Sequence, residues 1–222
     1  MKSWITDPQT TELLETLYAD ASTRDQLARQ AEQPPKPSQT SEAAHFTVMR
    51  HRYMAVGREF GRLLYSLIRG AQAKAVVEFG TSFGVSTIYL ASALRDNGGG
   101  TVITTEFHAE KSEQAKKNLS AAGLAELVEF RVGDARESLK ANLPQEIDFV
   151  FLDGAKGLYL EVLKLLEPHL RPGALIASDN TDHAELAAFL EYVRTPGNGY
   201  LSSAIVTAER EHGRPHEISI RL

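Results

Sequence analysis

From position 75 onward the chain alternates short, β-branched apolar runs with stretches of helical periodicity, and five such units in succession fit a parallel sheet covered by helices on both faces. The spacing predicts strands over 75–79, 101–106, 127–132, 147–152 and 174–178. Helices are predicted over 85–96, 109–122, 136–143, 157–166 and 184–193, with Gly98-Gly-Gly100 as a turn. The tail breaks the rhythm. Runs at 203–209 and 216–222 are joined through Gly213-Arg-Pro215, which leaves no room for a crossover helix, so they are expected to pair as an antiparallel hairpin.

The residues before 75 read differently. Short helices are predicted over 10–19 and 23–33, ended by Gln33-Pro-Pro-Lys-Pro-Ser38. A longer amphipathic helix is predicted from about 41 or 53 to 69, with Val56, Phe60, Leu63, Leu64, Leu67 and Ile68 at helical spacing and Gly70 as its C-cap. Residues 1–52 are therefore expected to form a helical appendage to a domain over 53–222. That appendage is expected either to shape a pocket or to make the contact of a homodimer.

The 222 residues, 42% of them hydrophobic, suit one α/β domain with a sizeable core. A net charge of −5 argues against nucleic acid as a partner, because phosphate binding draws on clustered Lys and Arg. The chain has no Cys, which removes disulfides and thiolate metal sites. No apolar run reaches the roughly 18 residues that would suggest a membrane span, and the first residues lack the apolar core of a signal peptide. These features lead to the expectation of a cytoplasmic protein that acts on a small molecule, away from membranes.

Two places concentrate chemistry. The first is Val77-Glu78-Phe-Gly80-Thr81-Ser82-Phe-Gly84-Val-Ser86, a strand that breaks into a Gly-bearing turn and re-enters a helix. Its glycines would admit a ligand close to the backbone, facing the N–H groups of a helix start. The turn lacks the second Gly of the dinucleotide fingerprint, which disfavours a pyrophosphate. Glu106 ends the next strand, where acidic residues of nucleotide-binding sheets accept ribose hydroxyls. Gly133-Asp134-Ala135 follows the third strand and could meet an adenine edge, while Asp134 could equally cap the next helix with Glu137.

The second place is Asp153-Gly-Ala-Lys156, followed by Asp179-Asn180 after the next strand. Two carboxylates and an amide oxygen at strand ends make a site for a hard cation, and Lys156 adds an amine beside it. Bland readings stand beside these: Asp153, Asp179 and Asp182 as helix caps, and Lys156 as a solvated charge. The seven His residues show no metal-binding spacing. Gly80-Thr-Ser82-Phe-Gly84 also spells a hydrolase nucleophile elbow, with His183 as a distant partner, so an α/β hydrolase using Ser82 is a competing reading.

Together these residues resemble the class I S-adenosylmethionine-dependent O-methyltransferases, in particular the cation-dependent branch that includes catechol and caffeoyl-CoA O-methyltransferases. The resemblance runs over about 53–182 and is most specific at Asp153-x-x-Lys156 with Asp179-Asn180. It implies a Rossmann-like α/β fold with a seven-stranded, mostly parallel sheet whose last strand is antiparallel. It also implies an S-adenosylmethionine site formed by Val56, Glu78, Gly80, Thr81, Ser86, Glu106, Asp134, Ala135 and Asp153. Asp153, Asp179 and Asn180 would bind Mg2+ or another divalent cation, and Lys156 would act as base. Met54, Lys156, Asn180 and Glu209 would meet a hydroxylated aromatic acceptor. Ala155 stands where catechol-type members carry Trp, which implies room for a bulkier acceptor. A cofactor-binding regulatory module without turnover is the other competing reading, but no residue of the set is missing.

Overall fold

The computed structural model describes residues 3–31, 52–208 and 213–222. Seven strands form one sheet: β1 (Ala75–Phe79), β2 (Thr101–Glu106), β3 (Val128–Val132), β4 (Ile147–Leu152), β5 (Leu170–Ser178), β6 (Tyr200–Thr207) and β7 (Arg214–Arg221). Their order is β3-β2-β1-β4-β5-β7-β6. The first five pair in parallel, and β7 runs antiparallel to both β5 and β6, as expected from the tail and from the family resemblance. The chain winds outward from β1 to β3 and then restarts at β4 on the other side of β1. Such a reversal leaves a crevice outside the carboxyl ends of the two central strands. Phe79 pairs with Leu152, and Leu152 with Ser178, so the residues that follow β1, β4 and β5 share one rim.

The central strands are covered on both faces, which is why they read as continuous apolar runs instead of alternating ones. Phe149 and Phe151 of β4 pack in one apolar cluster with Phe60, Leu64 and Ile88, while Val150 and Leu152 pack in the other with Tyr159, Val162 and Phe189. The helices that supply those side chains are α1 (Pro8–Ala31), α2 (Arg58–Gly70), α3 (Val85–Asp96), α4 (Ala109–Ala121), α5 (Ala135–Ser138), α6 (Tyr159–Leu166) and α7 (Ala187–Arg194). Among the described residues no helix is long and apolar enough to cross a membrane.

Four local expectations need correction. The two short N-terminal helices are one continuous helix, α1, because no Gly or Pro interrupts 9–31. Its Leu14, Leu17 and Ala21 are buried in the same cluster as Phe60 and Leu64. The helix that ends at Gly70 starts at Arg58, not at 53, because Asp25 holds the N–H groups of Tyr53 and Met54 and Met54 has φ of 48°; the alternative start at 41 lies outside the described residues. The helix predicted over 136–143 stops at Ser138. There the Arg131 guanidinium collects the carbonyls of Ser138, Ala141 and Asn142 at 2.8, 2.9 and 2.7 Å, and Asn142 turns to a φ of 56°. Finally, Asp182 caps nothing: the short 3-10 turn Ala184–Leu186 has His183 at its N-cap, without a side-chain bond.

Candidate active site

The rim has a glycine-loop half and an acidic half. At the end of β1, Gly80 takes φ of 108°, and a Cβ there would stand 2.7 Å from the carbonyl oxygen of Asp153. Close approach of β4, together with the backbone angle, therefore demands glycine. Gly84 has φ of 84° at the N-cap of α3, with Leu119 and Ala115 of α4 packed against it.

Under the loop lies a buried network of hydroxyls. Glu78 is fully buried; its Oε1 accepts from Ser86 Oγ at 2.5 Å, and its Oε2 accepts from Thr87 and Thr104 hydroxyls, each at 2.6 Å. Thr104 gives its one proton to Glu78, so Thr81, 2.5 Å away, donates to Thr104. Burial raises the Glu78 pKa; the three hydroxyls, which favour the anion, offset part of the rise, and Glu106 adds to it. Thus Glu78, Thr81 and Ser86 tie β1, β2 and α3 together beneath the loop. Above it, Glu106 accepts the N–H of Ser82 at 2.8 Å and that of His108 at 2.9 Å.

Asp134 is the N-cap of α5, accepting the Arg136 N–H at 2.9 Å and pairing with its guanidinium at 2.7 Å. Those contacts hold its carboxyl below the usual range, and Ala135 beside it is buried. Val56 is buried in the core and Met54 is partly exposed. Ser82, the nucleophile of the hydrolase reading, donates its hydroxyl proton to the Tyr53 carbonyl at 2.5 Å, so that proton is not shared with an imidazole.

In the acidic half, Asp153 follows β4 and Asp179 follows β5. Their backbone N–H groups continue the ladder to Phe79 and Leu152 at 2.8 and 2.9 Å, which fixes both residues on the rim. Lys156 Nζ donates to Asp153 Oδ1 at 3.2 Å and to the Tyr159 hydroxyl at 2.5 Å, and that hydroxyl in turn donates to the Asp179 carbonyl at 3.3 Å. Asp179 Oδ1 lies 2.7 Å from His216 Nδ1 on β7. Asn180 has φ of 53°; its amide nitrogen donates to Asp179 Oδ2, and its oxygen accepts from Arg214 at 2.6 Å.

The electrostatics of the two carboxylates diverge. Burial, reinforced by Asp179, pushes the Asp153 carboxyl well above its ordinary range, against the smaller opposing pull of Lys156. Burial acts the same way on Asp179, but His216 and Lys156 outweigh it and bring the net shift below the ordinary value. Two acids this close and this dry repel one another, which is the condition a divalent cation relieves.

The donor set fits such an ion in kind, with two carboxylates and one amide oxygen, all hard. Among the described residues no cluster of three or more His, Cys, Asp or Glu is arranged to hold a metal; this trio has only two acidic members. Turning the Asn180 amide half a revolution exchanges its two ends and places the oxygen beside Asp179, at the expense of the Arg214 bond. A shallow cavity of about 330 Å3 adjoins Lys156 between 156–164 and 185–189. Neither Asp153, Asp179, Asn180 nor the glycine loop lines it, so it is not the space between the two halves of the rim.

Asp153 with Lys156 and Asp179 with Asn180, two pairs separated by a helix and a strand, meet at one end of the sheet. Glu209 lies outside the described residues. Sequence reasoning missed His216, Tyr159 and Arg214. His216 was detectable in part, because the alternation of β7 puts it on the face of Ile218 and its ring stacks on Phe60 at 3.6 Å.

Residues 77–181 match the family described as a methyltransferase domain. Catechol O-methyltransferases of Niastella koreensis and Mycobacterium tuberculosis are each 35% identical over 57% of this chain, which covers 58% and 57% of those proteins. Caffeoyl-CoA O-methyltransferase 2 of Zea mays is 31% identical over 67% of this chain and 58% of its own length. The chain thus spans less than two thirds of the length of these curated relatives. Among solved structures, the O-methyltransferase TomG from Streptomyces achromogenes, in complex with SAM, superposes with a TM-score of 0.68 at 26% identity, covering 90% of this chain and 98% of that one. The Bacillus cereus O-methyltransferase in complex with SAH gives 0.71 at 23% identity over 91% of this chain and all of that one (100%), a likeness of fold. Over residues 77–181, a little under half of its length, the chain thus matches a methyltransferase domain, and catechol and caffeoyl-CoA O-methyltransferases are among its relatives.

Proposed function

We propose that this chain is a Mg2+-dependent O-methyltransferase that moves a methyl group from S-adenosylmethionine to one hydroxyl of a small aromatic with two adjacent hydroxyls. The observation that carries the reading is the placing of Asp179, buried, and Asp153, largely buried, at neighbouring strand ends with Lys156 beside them and the glycine loop one strand away. The names of the catechol and caffeoyl-CoA relatives support the acceptor class, and the SAM-bound neighbour supports the donor.

A phenol with a pKa near 10 is mostly protonated at neutral pH and a poor nucleophile, so the site must activate it. Asp153, Asp179 and Asn180 would hold the cation, which when bound supplies Lewis-acid polarisation of a nearby hydroxyl. Lys156 would take the proton. Its amine is held between Asp153 Oδ1 and the Tyr159 hydroxyl, so it has a fixed position from which to receive it. A free Lys, with pKa near 10.4, is charged at neutrality, and neighbouring positive charge favours the neutral amine that a base requires. On the donor side the glycine turn would let S-adenosylmethionine approach the backbone closely, and Glu106 would accept ribose hydroxyls. Holding donor and acceptor in line is worth up to about 7–11 kcal/mol in favourable cases. Ala155, with its short side chain, would leave room for a bulkier acceptor.

Glu106→Ala is expected to raise the KM for S-adenosylmethionine by about 10- to 100-fold, the scale of losing hydrogen bonds to a charged group, with a smaller effect on kcat. Steady-state kinetics with the donor varied would check this. Screening catechols, flavonoids and hydroxycinnamoyl thioesters with a methyl-labelled donor, with and without Mg2+, tests the function itself. Transfer to a vicinal diol supports it. Donor binding without transfer to any acceptor would favour the module without turnover.

A further inference from the structure

The site described above leaves one connection unused: the N-terminal helix reaches the glycine loop through a series of polar contacts. Asp25 of α1 accepts two successive backbone N–H groups, that of Tyr53 at 2.7 Å on Oδ1 and that of Met54 at 3.2 Å on Oδ2. Met54 has φ of 48°, a left-handed conformation that a residue with a side chain adopts only at some energetic cost. The Asp25 carboxylate holds it there. Asp20, five residues earlier on the same helix, accepts the Tyr53 hydroxyl at 2.7 Å and fixes the ring. That ring stacks on Phe83 of the loop at 4.1 Å with an interplanar angle of 22°, and the Arg24 guanidinium lies 5.7 and 5.8 Å from the two ring centres.

The backbone completes the series. The Tyr53 carbonyl accepts the Ser82 hydroxyl at 2.5 Å, and the Ser82 N–H donates to Glu106 at 2.8 Å. Ser82 itself has φ of 48°, so the tip of the loop is held in an unfavourable conformation from both sides. We infer that Asp25 is a positioning residue for the methyl donor: by gripping the 53–54 turn it aims the Tyr53 carbonyl at Ser82 and so sets the loop in its binding shape. This rests on the proposed function, in which the loop holds S-adenosylmethionine. Without the carboxylate, Met54 relaxes toward ordinary backbone angles, the carbonyl turns, and Ser82 loses its acceptor. The apolar anchorage of α1 by Leu14, Leu17 and Ala21 is separate, so removal of the carboxylate leaves the helix docked.

Calorimetric titration of the full chain with S-adenosylhomocysteine tests the link. Asp25→Ala is expected to weaken binding by about 10-fold or more, on the scale of losing hydrogen bonds to a charged group. Asp25→Asn, which keeps one of the two acceptor oxygens, is expected to fall between Asp25→Ala and wild type, and kcat at saturating donor stays near wild type in both. A purely structural role would lower the melting temperature without this split between donor KM and kcat. Ser82→Ala interrupts the same series from its other end, so the double variant is expected to lose no more than the worse single one. Additive losses, or Asp25→Ala binding as tightly as wild type, would overturn the inference. Wild-type protein that does not bind S-adenosylhomocysteine at all would instead remove the proposed function, and this inference with it.

Discussion

Asp179→Asn and Asp153→Asn are each expected to lower methyl transfer at saturating Mg2+ by about 1,000-fold or more, equivalent to about 4 kcal/mol of transition-state stabilisation. Each substitution keeps the size of the side chain but removes an anionic donor, so the loss reports on charge and not on packing. The two should differ in stability. Asp179 lies 2.7 Å from His216, a buried ring stacked on Phe60, and loss of its charge removes the anion from that buried contact. Asp153 is the carboxylate that burial and Asp179 already disfavour as an anion, so its neutral replacement should be the better tolerated of the two before metal is added. S-adenosylhomocysteine titrations should show donor affinity reduced by a few-fold at most, because neither side chain forms the glycine loop. Activity within 10-fold of wild type in both variants would contradict the metal role.

Lys156→Ala is expected to lower kcat by about 100- to 10,000-fold, the usual range for losing a positioned general base. The comparison with Lys156→Arg carries the argument. Arg keeps a positive charge beside Asp153 but does not deprotonate, so it replaces the ion pair and not the proton acceptor. Both variants should therefore be impaired to a similar degree, with the donor KM unchanged. If Lys156→Arg recovers to within threefold of wild type, the amine contributes charge or orientation and another group takes the proton.

The parts of the fold that were legible in the sequence are those set by local pattern. β1, β2 and β4 match their predicted ranges residue for residue, because each is a short run rich in β-branched or aromatic residues set between turn and helix signals. The tail hairpin was legible from the length of its connection alone. The candidate site was legible because its residues directly follow strands, and strand register carries them to one rim.

What could not be read depends on contacts between distant residues. The early end of α5 follows from Arg131 taking three carbonyls, and nothing in 136–143 itself forbids a helix. The late start of α2 follows from a carboxylate on α1. Glu78 stands among the expected donor-site residues, yet both its oxygens are taken up by Ser86, Thr87 and Thr104, a network that assembles only once β1, β2 and α3 are packed. Tyr159 lies three residues after Lys156, where a helical register already puts the two side chains on one face, but the chain alone gave no reason to expect its hydroxyl against the amine.

The central claim is that a divalent cation held by Asp153, Asp179 and Asn180 is required for methyl transfer. Its most direct test is the rate of label transfer from S-adenosylmethionine to an accepted vicinal diol, measured on chelator-stripped protein as Mg2+ is added back. The account predicts no transfer above background in EDTA and a rate that rises with Mg2+ to saturation. A rate in EDTA equal to that at saturating Mg2+ would contradict it.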